Sequence, residues 1–204
     1  AHGLEYAVHS PYTDVNIGAN DPYVRETILG RLESSIKYAS DLGADRWIFH
    51  PGNTTALEWA LPKGTAWSIN IESVRRLVEY AKTLGVRAMI ENLPEPFPFL
   101  MKSVEDFRRF FNQVGFEPPM VLDIAHAHIR GEELEFIRRF GDRIAHVHAS
   151  DNQGDRDTHL RIGEGTVDWG KVMEALRESH FDGWVTIESH NAISESIRLL
   201  EDLK

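Results

Sequence analysis

Short apolar runs alternate along this chain with longer stretches in which apolar residues recur every three or four positions. Six of the runs end on an imidazole or a carboxylate: Val8-His9, Trp47-Ile48-Phe49-His50, Ala88-Met89-Ile90-Glu91, Met120-Val121-Leu122-Asp123, Ile144-Ala145-His146-Val147-His148 and Trp184-Val185-Thr186-Ile187-Glu188. Continuous apolar runs of this length predict strands covered on both faces. Between them, Val24, Ile28, Leu32, Ile36 and Ala39 form a helical stripe, Ile71, Val74, Leu77, Val78, Ala81 and Leu84 form a second, and Phe107, Phe110, Phe111 and Val114 a third. Glycine closes these patterns at Leu42-Gly43, Leu84-Gly85, Val114-Gly115 and Phe140-Gly141, where left-handed helix caps are expected. Strands alternating with helices predict parallel strands joined by right-handed crossovers.

A doubly wound open sheet and a closed eight-stranded barrel both follow that alternation. An open sheet builds its site at one switch point, whereas a barrel draws side chains from many strand ends. Ligand-type residues on every strand favour the parallel (β/α) TIM barrel, here a single domain over residues 1–204. Only six strands are predicted, and the first begins almost at Ala1, so the first two strand-helix units of the barrel are expected to be absent. That would leave an open edge beside the Tyr6 to His9 strand, where an oligomer or a covering segment is expected.

Composition narrows the chemistry. The 204 residues are 42% hydrophobic and carry no cysteine, so one core suffices and any metal is held by His, Asp, Glu and water, which suits zinc, manganese or magnesium. The net charge of -10 weighs against a broad phosphate-binding surface and hence against nucleic acid, although bound dications would offset part of it. Neither a bilayer-length apolar stretch nor a signal-peptide pattern is found, and a cytoplasmic protein is expected. The pairs Arg75-Arg76, Arg108-Arg109 and Arg138-Arg139 have Glu nearby in helical patterns and read as solvated outer faces. Lys63 and Arg161 lie in loops where a substrate phosphate could meet them.

The segment from His146 to Trp169 is the most specific, with His148, Asp157 and His159 in one loop excursion and a Gly-Glu-Gly turn behind them. Here the chain resembles the xylose-isomerase-like barrel superfamily of sugar isomerases, epimerases and endonuclease IV. In the endonuclease branch nine residues hold three zinc ions, and the resemblance implies counterparts in His9 of His-Ser-Pro-Tyr, His50 of His-Pro-Gly, Glu91 of Ile-Glu-Asn, Asp123 and His126 of Leu-Asp-Ile-Ala-His, His148, Asp157 and His159 of Asp-Thr-His, and Glu188 of Ile-Glu-Ser. Departures from that branch include Ala125 where it has cysteine. Ser150-Asp151-Asn152-Gln153-Gly154 is similar to the sugar isomerase and epimerase members instead.

Glu91, Asp123, His148 and Glu188 suffice for one divalent cation with open water positions, and Glu91 and Glu188 are the candidate proton carriers for isomerising or epimerising a small sugar or sugar phosphate. The other five would serve a two- or three-ion site acting on a phosphate, so the alternative is a three-zinc phosphodiesterase acting on abasic DNA. A further alternative is a barrel that binds metal or sugar without turnover. His146 is assigned to the opposite layer from His148 and a structural role. His2, His128, His180 and His190 carry no pattern, and Asp151 is either a support for a ligating histidine or a turn former. Pro94 to Phe99 is a stiff aromatic loop that covers the mouth or packs on its rim.

Overall fold

A computed structural model describes residues 3–55 and 58–203. His2 and the Ala1 start lie outside the described residues. The chain forms two compact units: residues 3–55 and 58–91 with 98–101 and 109–119, and residues 92–97, 102–108 and 120–203.

The first unit holds strands β1 (Ala7–His9), β2 (Arg46–Phe49) and β3 (Arg87–Glu91), with helices α1 (Pro22–Asp41) and α2 (Thr65–Thr83) and the last turns of α3 (Val104–Val114). β1 pairs with β2 and β2 with β3, all in parallel, with Val8 opposite Trp47 and Trp47 opposite Ala88. Trp47 stacks on Phe49 with ring centroids 5.0 Å apart and donates its indole N–H to Ser35 Oγ at 3.0 Å, which satisfies the one polar atom of a buried ring. α1 starts because Asp21 accepts from the amides of Tyr23 and Val24 and Pro22 occupies the first turn. Its buried stripe runs through Leu29, Leu32, Ser35, Ile36 and Ala39. Val24 is 51% exposed, because the first turn projects past the core, so the expected stripe begins one turn too early. Arg76 on α2 bridges Glu26 and Glu33 of α1 at 2.6 Å each, while Arg75 donates to the carbonyls of Gln113 and Val114 and Arg109 lies 4.1 Å over Trp67.

The second unit holds β4 (Met120–Asp123), β5 (Ile144–Ala149) and β6 (Trp184–Ile187), with α4 (Ile124–His128), α5 (Glu133–Phe140), α6 (Trp169–Glu178) and α7 (Ile193–Asp202). Its strands are also parallel, with Asp123 opposite His148 and His148 opposite Thr186. Phe107, Phe136 and Phe140 form a buried aromatic cluster with centroids 5.5 to 6.4 Å apart. All six predicted strands are present, and each ends within a residue of its expected ligand.

Three of the four predicted glycine caps are left-handed: Gly43, Gly85 and Gly115 have φ of 74°, 71° and 83°. Gly141 is not; its φ is -53°. A Cβ there would lie 2.7 Å from Ser179 Cβ and 2.9 Å from Ile137 O, so the requirement is close approach of the α6 end rather than backbone handedness. The outer-face reading of Arg108 and Arg138 agrees with their pairing to Glu105 and Glu135. Among the described residues, no helix is long and apolar enough to cross a membrane.

Candidate metal centre

Strand ends position the candidate ligands. In the first unit, β1, β2 and β3 end at His9, just before His50, and at Glu91. Glu91 is 1% exposed, and its Oε2 lies 3.3 Å from His9 Nε2 and 3.4 Å from His50 Nε2. The two imidazoles stand edge to face at 4.9 Å, with Tyr12 against both. His9 Nδ1 faces the Ser10 carbonyl at 2.9 Å. A carbonyl only accepts, so Nδ1 carries hydrogen and Nε2 is the ring atom turned to the carboxylate.

The second unit repeats this device twice. His126 Nδ1 donates to the Asn92 carbonyl at 2.8 Å and His159 Nδ1 to the Glu188 carbonyl at 2.9 Å. Their Nε2 atoms meet Asp157 Oδ2 at 3.4 and 3.1 Å. Without a cation, protons must separate these acceptors. Burial alone would raise the Asp157 carboxyl, but hydrogen bonds from His126 and His159 reverse this and hold it well below the usual carboxylate range. His159 is pushed up to about 9, because the Asp157 hydrogen bond outweighs burial. Asp157 Oδ1 is buried and has no hydrogen-bond partner among the described residues. An outer atom fixing each ring's tautomer, an unmatched carboxylate oxygen and an oxygen–nitrogen donor set all fit a divalent cation.

Next to this cluster, Asp123, His148 and Glu188 each offer an atom within 4.8 Å of the others, with His148 Nδ1 3.2 Å from Glu188 Oε1. Asp123 caps α4 by accepting from the His126 amide at 2.8 Å. Asn92 then pins it through Asp123 N→Asn92 Oδ1 at 2.8 Å and Asn92 Nδ2→Asp123 O at 3.0 Å. Asn92, fully buried, thus supports both Asp123 and His126, a role no spacing in the chain signals.

His146 was expected in the opposite layer from His148. The structure corrects this: the rings lie edge to face with centroids 5.2 Å apart, because residues two apart on a strand share a face. His146 Nε2 meets Thr186 Oγ1 at 2.7 Å, one layer deeper than His148. Asp151 proves to be a loop organiser. Fully buried, it accepts from the amides of Asn152, Val167 and Gly163 and from the Trp169 indole, which holds the excursion carrying Asp157 and His159. Gly165 is needed there, since a Cβ would fall 2.2 Å from both Asn152 O and Asp151 Oδ1. His128 is structural, between Glu133 and Thr166. His190 carried no pattern yet stacks on His159 at 5.0 Å and 8°. Arg161 faces Glu164 at 4.0 Å and Lys63 is exposed. In the Pro94 to Phe99 loop, Glu95 is clamped by Lys102 at 2.6 Å and Arg130 at 2.9 Å.

Parallel strands ending in imidazoles and carboxylates place these side chains where parallel barrels carry their sites, at the carboxyl ends of the strands. The model of the xylose isomerase-like TIM barrel family matches residues 1–203, and the chain belongs to this family. It is 30% identical to an uncharacterised protein of Methanocaldococcus jannaschii over 98% of this chain and 69% of that one. It is 25% identical to D-psicose 3-epimerase of Ruminiclostridium cellulolyticum over 88% of this chain and 61% of the relative. A solved D-tagatose 3-epimerase-like protein superposes with a TM-score of 0.91 at 29% identity, covering 99% of this chain and 78% of the other. The chain therefore spans about two thirds of the length of these curated relatives, which include sugar epimerases, and the expected parallel barrel fold is the observed one.

Proposed function

We propose that this chain is a divalent-metal-dependent isomerase or epimerase acting on a small sugar or sugar phosphate, with the whole chain as one family domain. The observation that carries the reading is the convergence of Asp123, His148 and Glu188, two carboxylates and an imidazole from three successive strand ends. Glu91 is assigned with them because the resemblance of Ile-Glu-Asn to the family's metal-ligand motif implies it. A cation there would polarise a substrate carbonyl and acidify the neighbouring C–H. One of Glu91 and Glu188 takes the proton from that carbon, and the other returns a proton to its opposite face; return to the adjacent carbon instead also carries the hydroxyl proton across to the former carbonyl oxygen. Similarity to a psicose epimerase and to a tagatose epimerase-like protein supports a ketose as substrate.

Incubation with ketoses and ketose phosphates in deuterated water tests this. Deuterium is expected at the carbon beside the carbonyl, dependent on manganese, magnesium or zinc. Absence of label from every ketose with metal bound would reject the proposal.

A second reading rests on the His9/His50/Glu91 and His126/Asp157/His159 groups. Two further ions there would suit water attack on a phosphodiester, as in a three-zinc nuclease on abasic DNA. Metal-dependent cleavage of an abasic duplex would favour it.

A further inference from the structure

The backbone of His159 is strained: its φ is 46°, a left-handed conformation that side-chain-bearing residues adopt at a cost and keep only where their surroundings over-determine it. The determining contacts come from one tripeptide, Glu188-Ser189-His190. The Glu188 carbonyl takes the His159 Nδ1 hydrogen at 2.9 Å, the His190 amide donates to the His159 carbonyl at 3.0 Å, and the His190 ring lies flat on the His159 ring, with centroids 5.0 Å apart and planes within 8°. The two hydrogen bonds fix one ring atom and the main chain. They leave the plane of the imidazole free to swing, and with it Nε2, which sits 3.1 Å from Asp157 Oδ2. The stacked face removes that freedom while leaving the Nε2 edge open.

We propose that His190 is a positioning residue that holds the plane of the His159 ring for cation binding at His126, Asp157 and His159. This rests on the metal reading of that group. His190 is itself exposed, so its replacement leaves the core intact, and it acts through a flat face rather than a donor atom. Phenylalanine should therefore replace it and alanine should not.

The test is zinc titration of the full chain against a chromophoric chelator, with the ion at this group identified as the one lost in Asp157→Asn, and with thermal unfolding as a check on the fold. His190→Ala is expected to weaken that ion about 10-fold, the low end for loss of an outer partner of a ligating histidine, and His190→Phe to bind within about 3-fold of the parent. Unchanged affinity in His190→Ala overturns the role of His190 while leaving the metal group standing. Weakening in both variants overturns stacking as the cause. Absence of any ion sensitive to Asp157→Asn overturns the metal reading of this group and the role of His190 with it.

Discussion

His159 Nε2 lies 3.1 Å from Asp157 Oδ2 while its Nδ1 is committed to the Glu188 carbonyl. In the metal-free chain this pair makes stability fall on both sides of a mildly acidic window. His159 is raised from 6.5 to about 9 on folding, so its contribution is complete below pH 6.5 and lost as the pH rises through 9. Asp157 is lowered from 3.8, so its contribution holds above that value and is lost as acid protonates it. Chelator-treated protein should show its highest thermal midpoint between about pH 4 and 6.5 as far as this pair is concerned, and Asp157→Asn should flatten the decline from pH 6.5 to 9.

A cation at this group must displace the His159 proton at neutral pH, because ligating imidazole is neutral. Calorimetric zinc titration at pH 7 in buffers of different ionisation enthalpy should reveal proton release, reduced in Asp157→Asn. Binding without proton release would place the ion elsewhere.

Glu188→Gln and Asp157→Asn separate the two enzyme readings. Loss of a proton carrier should lower epimerisation by about 10²- to 10⁴-fold, whereas loss of Asp157 should cost a one-ion isomerase less than about 10-fold. Equal losses, measured as turnover on a labelled ketose, would count against a one-ion isomerase.

Asp151 and Gly165 shape the excursion that carries Asp157 and His159. Asp151→Asn turns an amide donor toward N–H donors at a fully buried site and should destabilise by about 2–3 kcal/mol. Gly165→Ala forces a methyl into Asn152 O and should cost roughly 1–3 kcal/mol. Denaturant unfolding checks both, and an unchanged midpoint in Asp151→Asn would remove its organising role.

Much of this was legible in the chain because strands and their terminal ligands are local features. Val121-Leu122-Asp123 and Val147-His148 announce a buried strand and what stands at its end. Features set by distant partners were not legible. Gly141 sits after a helix like Gly43, but only the approach of Ser179 reveals why it is glycine. His190 sits in an undistinguished Ser-His-Asn stretch, and its ring partner lies 31 positions earlier. Asn92 follows Glu91 without comment, although it ties Asp123 and His126 together. His146 differs from these, since the period-two rule by itself places it on the same face as His148.

The most direct measurement is the number of divalent ions held per folded chain by native mass spectrometry after metal reconstitution, compared with Glu188→Gln and Asp157→Asn. At least one ion retained by the parent and weakened in Glu188→Gln is expected. A parent chain that keeps no divalent ion, or keeps the same ions in both variants, would contradict the gathering of these side chains around a cation.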